Sequence, residues 1–456
     1  KSEAVLRSRV NLTGEALLNA CLINDQTENQ NLSKYPLSIL LLCVTKNQKL
    51  QKVNSFLTIG LNRHLFLKQS YISSESDTRQ SMFETTFQAY LELLSLRGIE
   101  YYFANEMTAL LQSTEENDEM IVDAYTHILP AKYQAGLEAK ITDRDMSLNS
   151  ARYAKTVPTL MDLDARFKVM DAFDDYIQVI SIASPPIYAI APAEVAAQLC
   201  RIANDELAAL VDKYPDRFAA GIACLPLTDI EAAVTEADRA VKDLRLRAVE
   251  FFTDINGKPL DAPEFMPVYE KMVELDRPVF IHPLREMTIP DYEGEPSSKY
   301  RVWTKLGWPY ATALAMTRLV YGGVLEKLPN LKIVTHHCGG LIPYLAGRID
   351  WNDDFNEMRM GKRDIYLKEN ALTYYRRFFY DTAVNGNTAA LECGLSFAGL
   401  DQMVFATDMP FCNQMGLRLI RDTIESVERM QITSEEKRKI FQENAVKLMR
   451  LPLGKF

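Results

Sequence analysis

The stretch MIVDAYTH, residues 120–127, sets the frame of the fold. It is a short, mostly apolar run ending in a histidine, the pattern of a strand buried on both faces of a parallel sheet. Seven more such runs follow, at residues 176–187, 218–227, 248–253, 278–282, 332–336, 378–382 and 403–407. Amphipathic stretches of helical length separate them, among them residues 192–213, 229–243, 263–275 and 309–328, several opened by Pro or Asp as helix starts prefer. Eight strands alternating with helices predict an α/β fold, a (β/α)8 TIM barrel. An open doubly wound sheet is the alternative, but no Gly-x-Gly-x-x-Gly loop follows the first strand. A helix over 434–451 is expected to pack outside the barrel as a cap.

Working outward, the polar stretch QSTEEND at 112–118 reads as a linker. It divides the chain into an N-terminal extension of uncertain fold, residues 1–118, and the barrel, residues 119–456. Residues before Ser81 read as partly disordered or as an irregular extension. The segment TFQAYLELLSLRGIEYYFAN, residues 86–105, resembles the opening helix and strand of the pyrimidine-binding domain of thiamine-diphosphate enzymes. The catalytic glutamate region of that fold is absent, so thiamine binding is not implied. An amphipathic helix over 82–96, stopped at Gly98, followed by a strand is the reading adopted.

Composition narrows the function. With 51 Lys and Arg against 61 Asp and Glu, the net charge of −10 argues against a nucleic-acid partner. The longest apolar run, residues 37–44, is too short to span a bilayer, and no secretory signal is visible. Seven cysteines without a Cys-x-x-Cys pair suggest a reducing compartment, and a cytoplasmic protein is expected. The sequons at Asn11 and Asn31 are then read as chance.

Only five histidines occur, yet His127, His282, His336 and His337 all fall at the carboxyl ends of expected strands, and Asp408 joins them after the eighth run. In a barrel those ends converge on one face. His127, His282 and Asp408 would suit one Zn²⁺ or Mn²⁺ with an open position. His336 and His337, as neighbours on a strand end, should point to opposite sides, so that at most one enters the site easily. Gly339 and Gly340 would let the backbone approach a ligand. Glu250, Phe251, Phe252 and Thr253 end the fourth run, leaving no lysine there for a carbamylated bridge between two metals.

Residues from about 120 to 451 resemble the amidohydrolase-related decarboxylases typified by 2-amino-3-carboxymuconate-6-semialdehyde decarboxylase, through DAYTHILP at Asp123, FIHP at Phe280, GGVLEKLPNLKIVTHHCGG ending at Gly340, GRI at Gly347 and ATDMPF at Ala406. The resemblance implies a barrel of the metal-dependent hydrolase type with His127, His282 and Asp408 on the metal and His337 of the His-x-Gly-Gly turn as acid/base. It also implies a homodimer in which Arg348 reaches the neighbouring subunit's substrate carboxylate. Arg285 is a second carboxylate candidate, and Trp308, with Trp303, a candidate pocket wall.

One departure stands out. Where the family reads Asp-x-His-x-His, or places Glu at the first ligand position, this chain has Tyr125. A tyrosine is a poor ligand unless its phenol, with a usual pKa near 10, ionises, so Tyr125 is read as a pocket residue and Asp123 as an orienting group. Three readings stay open: non-oxidative decarboxylation of an unsaturated or aromatic carboxylic acid, hydrolysis of a lactone or amide at the same metal site, and a barrel that binds without catalysis.

Overall fold

A computed structural model describes residues 120–141, 156–361 and 367–453 in full. Of the N-terminal region it describes the backbone of Ile39–Leu41, Phe56–Gly60 and His64–Lys68, a three-stranded antiparallel sheet with Phe56–Gly60 in the middle. That sheet stands where the sequence suggested an irregular extension. The expected helix over 82–96 and the strand after it lie outside the described residues. The chain divides into two compact units, residues 1–115 and 116–456.

The second unit holds eight parallel strands that neighbour one another in sequence order: β1 (Ile121–Ile128), β2 (Tyr176–Ile182), β3 (Phe218–Cys224), β4 (Ala248–Phe252), β5 (Val279–His282), β6 (Ile333–Thr335), β7 (Phe379–Asp381) and β8 (Met403–Val404). A helix follows each: α1 (Leu163–Met170), α2 (Ala193–Lys213), α3 (Ile230–Lys242), α4 (Met266–Leu275), α5 (Gly307–Tyr321), α6 (Ile342–Met360), α7 (Thr388–Ala398) and α8 (Leu417–Glu428). Their starts follow local chemistry, with Asp162 and Asp229 accepting from the first-turn amides of α1 and α3 and Asn387 doing so for α7.

The ring closes beyond the short β8. Ala124 N–H donates to Phe405 O (2.9 Å), His127 N–H to Met409 O (2.8 Å) and Asp408 N–H to Tyr125 O (3.3 Å). These bonds join β1 to the eighth position and complete the (β/α)8 barrel. β8 ends before the expected residues because the chain after it leaves the regular ladder for these bonds, and β6 ends where the turn through His336 and His337 begins.

β2, β3 and β4 are buried along their whole length, which accounts for continuous apolar runs in place of alternation. Side chains such as Val122, Tyr125, Ile222, Phe280 and Val334 form one cluster, and helices pack a second cluster against the strands. The C-terminal helical stretch, residues 434–449, contains a π-helical turn at Lys439–Glu443. It is not the purely external cap expected. Ala445, Leu448 and Met449 belong to the same buried cluster as Val122 and Phe280, Asn444 Nδ2 donates to Met403 O (2.7 Å), and Phe405 N–H donates to Ile440 O (3.0 Å). No helix among the described residues is long and apolar enough to cross a membrane.

Candidate metal centre

β1 carries an irregularity that shapes the site. Asp123 pairs with Gln178 but Thr126 with Ile180, so β1 spends three steps where β2 spends two. Within and just beyond this bulge Tyr125 and His127, two residues apart on the strand, share a face, and their ring centroids lie 4.8 Å apart. Beneath it, the fully buried Arg166 of α1 donates to His127 O (2.7 Å), Thr126 Oγ1 (2.9 Å) and Gln178 Oε1 (2.8 Å). Bonds from a charged donor are worth roughly 1.5–3 kcal/mol each, enough to fix the backbone of a would-be ligand. Asp123 is also buried. It accepts from Thr407 N–H (3.0 Å), the Thr407 hydroxyl and the Tyr176 hydroxyl, which anchors the segment carrying Asp408. Burial pushes its carboxyl up to about 7 against those bonds.

His127, His282 and Asp408 converge from β1, β5 and the segment after β8. One donor atom of each lies within 4.8 Å of the others. His127 Nε2 is 2.9 Å from Asp408 Oδ1, and His282 Nε2 is 3.9 Å from the same oxygen. Four tetrahedral donors about 2.05 Å from an ion stand about 3.3 Å apart, so a small shift seats a divalent cation here. The tautomers suit it too. His282 Nδ1 donates to Pro283 O (2.8 Å), and His127 Nδ1 lies 3.3 Å from Ile182 O. Each Nε2 is thereby left to present its lone pair inward. For His127 that lone pair would face a carboxylate oxygen, an arrangement that calls for a cation or a proton between them. The residues present fit a divalent metal.

Electrostatics agree. Burial opposes charge on His127, but the hydrogen bond and charge of Asp408 raise its pKa above 6.5. Burial and then the neighbouring His127 hold His282 well below it. Burial would raise Asp408, yet the hydrogen bond to His127 and the surrounding histidines bring its carboxyl well below the usual range.

The two consecutive histidines depart from expectation. His337, Cys338, Gly339 and Gly340 all have positive φ (56°, 53°, 70° and 62°). This left-handed turn abolishes the strand alternation that would send the rings apart. The His336 ring centroid lies 5.6 Å from that of His282, and His337 6.4 Å from it. His336 is fully buried, its Nδ1 2.7 Å from Asp381 Oδ2 and its ring 3.8 Å from that of Tyr125. His337 is half-buried and donates from Nδ1 to Ala383 O (2.8 Å).

Trp308 lies beside them, nearly parallel to His337 (9°, 6.4 Å) and edge-on to His282 (5.4 Å), with Trp303 packed against it. Arg285 is half-buried next to them, its carbonyl accepting from Trp308 Nε1. Arg348 sits elsewhere, exposed on α6. Tyr125 is fully buried, and its hydroxyl donates to Glu250 of β4. Glu250 is the residue that sequence reading missed, having been noted only for not being a lysine. A charge interrupting the apolar run AVEFF was the available signal. Burial pushes its carboxyl up to about 7.

An eight-stranded βα ring with two histidines and an aspartate gathered at its strand ends defines a metal-dependent barrel enzyme. The amidohydrolase family model matches residues 122–451, and the chain belongs to that family. It is 28% identical over 350 residues to 2-amino-3-carboxymuconate-6-semialdehyde decarboxylase of Dictyostelium discoideum, covering 74% of this chain and 93% of the relative. It is 32% identical over 309 residues to γ-resorcylate decarboxylase of Rhodococcus jostii, covering 64% and 89%. Among solved structures, a dihydroxybenzoic acid decarboxylase from Polaromonas sp. JS666, with bound manganese and the inhibitor 2-nitroresorcinol, superposes with a TM-score of 0.60 at 25% identity, covering 74% of this chain and 98% of that one.

Proposed function

We propose that the protein is a divalent-metal-dependent, non-oxidative decarboxylase of an aromatic or unsaturated carboxylic acid. The observation that carries this reading is the half-buried His337, held by Ala383 O beside the His127, His282 and Asp408 cluster and under the face of Trp308. Decarboxylase relatives spanning most of the barrel support it. One Mn²⁺ or Zn²⁺, held by His127, His282 and Asp408, would supply electrophilic pull on the oxygens of the bound acid. His337 delivers a proton from Nε2 to the carbon that carries the carboxylate. A π electron pair of the ring or double bond takes up that proton, the bond to CO2 then breaks with its electron pair returning to the π system, and solvent restores the proton to His337. Trp308 packs against the substrate plane and keeps water from it, while Arg285 holds a second acidic oxygen.

α6 supports a homodimer. Tyr344 (81% exposed), Trp351 (56%) and Met358 (71%) line one helical stripe with Phe355, and Arg348 stands in its middle. Covering that stripe with a second copy would carry Arg348 toward a neighbouring site. Five free cysteines among the described residues, three of them buried, fit a reducing, cytoplasmic setting.

The test is metal content and CO2 release together. Wild-type protein should carry about one Mn²⁺ or Zn²⁺ per chain, as expected for a mononuclear catalytic site. It should release CO2 from at least one member of a panel of hydroxybenzoates and unsaturated acids. His127→Ala and Asp408→Ala should lose both. Metal-loaded protein that releases no CO2 from the panel, or that yields a new acid from lactones or amides without gas, refutes the reading.

A further inference from the structure

β2, β3 and β4 end around a pocket whose walls include Ile182, Pro186, Tyr188, Leu225 and Phe252, with Glu250 as its acidic member. Phe252 is also edge-on to the His282 ring at 5.3 Å, so this pocket adjoins the metal-binding cluster. Its enclosed part has room for a substituent and not for a whole ring. Glu250 is 5% exposed. Tyr125 occupies Oε1, whereas Oε2 has no hydrogen-bond partner among the described residues. No lysine or arginine among the described residues forms an ion pair with it, and its charged neighbours are His127 and Asp408. An acceptor at the edge of an apolar recess is costly to leave unmatched once a ligand shuts water out, and a site built around such a group rejects ligands that lack the complementary donor.

We propose that Glu250 is the specificity residue of this enzyme. Its Oε2 accepts a hydrogen bond from a hydroxyl or amino substituent of the substrate, and the pocket turns away acids that carry a methyl ether or a second carboxylate at that end. The substrate class is thereby narrowed to planar carboxylic acids with a donor substituent. This deepens the decarboxylase reading and rests on it. The test therefore reads binding alone, so that a failure to release CO2 and a failure of this pocket are told apart.

Titration calorimetry on the metal-loaded enzyme, using benzoate and its hydroxy, methoxy and carboxy derivatives at each ring position, supplies the comparison. At the position that binds tightest, hydroxyl should outbind methoxy and carboxylate by about tenfold, the factor that 1.4 kcal/mol of hydrogen-bond mismatch gives. In Glu250→Gln, which keeps an acceptor for Tyr125 and can turn an amide donor to the pocket, that ratio should fall to within about twofold or invert, with benzoate affinity and metal content unchanged. An equal ratio in the two proteins overturns the proposal, as does loss of metal from Glu250→Gln, which would make Glu250 a support of the metal cluster instead. Should that variant not fold, Ala183→Leu narrows the same pocket and should reduce hydroxybenzoate binding to the level of benzoate. An undiminished hydroxyl preference there overturns the proposal equally. Failure of every benzoate to bind wild type overturns this proposal and leaves the decarboxylase reading to its own test of CO2 release.

Discussion

The hydroxyl of Tyr125 on β1 donates to the carboxylate of Glu250 on β4, 125 residues later in the chain, and both groups are buried. Tyr125 stands where relatives of this kind are expected to place a histidine or glutamate, and the phenol is bound to another residue instead of being offered to a cation. Tyr125→His should therefore add a donor and tighten Mn²⁺ binding by about tenfold or more, read by chelator competition. Unchanged affinity would show that position 125 lies out of reach of the cation.

Metal affinity should depend on pH through one proton. Asp408 raises His127 above 6.5, so a proton competes with the cation below that raised pKa. His282 is held well below the ordinary histidine value and Asp408 below the ordinary carboxylate value, so neither adds protons in that window. Below the pKa of His127, Mn²⁺ affinity should fall about tenfold per pH unit. A slope of two orders per unit would mean that a second group, His282 or the neighbouring Glu250, takes up a proton there.

His337→Asn should separate chemistry from assembly. The metal donors are untouched, so Mn²⁺ content should stay at the wild-type level, while the rate of CO2 release falls about 10²- to 10⁴-fold, the usual range for a removed proton donor. Retention of most activity would exclude His337 from proton delivery.

Arg348 offers a mixing test. Arg348→Ala and His337→Asn homodimers should each be nearly inactive, but after exchange of subunits a mixed dimer contains one site with both residues intact. Recovery approaching a quarter of wild-type activity is expected from statistical mixing, because half of the dimers are mixed and each has one complete site of two. No recovery would place Arg348 outside the partner's site.

The left-handed turn makes a prediction about stability. Gly340 has a φ of 62°, and a Cβ there would lie 2.2 Å from Pro309 O. Gly340→Ala should lower the thermal midpoint by several degrees, since strain of this kind costs on the order of 1–3 kcal/mol, and should lower activity by displacing α5 and Trp308. An unchanged midpoint in a melting curve would count against the tight approach of the two segments.

Much of this was written in the sequence in a form that local reading can reach. Eight apolar runs at βα spacing carry the barrel, and histidines at the ends of runs one and five with Asp408 after run eight carry the metal cluster, because strand ends converge whatever joins them. What escaped depends on backbone departures. The fate of His336 and His337 turns on four successive positive φ angles, and only the two glycines hinted at them. Glu250 acquires meaning from Tyr125, a partner with no sequence proximity. The C-terminal helix joins the buried cluster through a π turn that periodicity does not signal.

The seam between β1 and the segment after β8 has a further consequence. His127 and Asp408 lie 281 residues apart and belong to the two edges that meet there, with Ala124 bonded to Phe405 and His127 to Met409. During synthesis on the ribosome, the first edge emerges long before the second exists. A nascent chain stopped short of residue 409 should be unable to retain the ion, however much of the sheet it has already assembled. Loading with metal is thus expected only once the segment carrying Asp408 has been made.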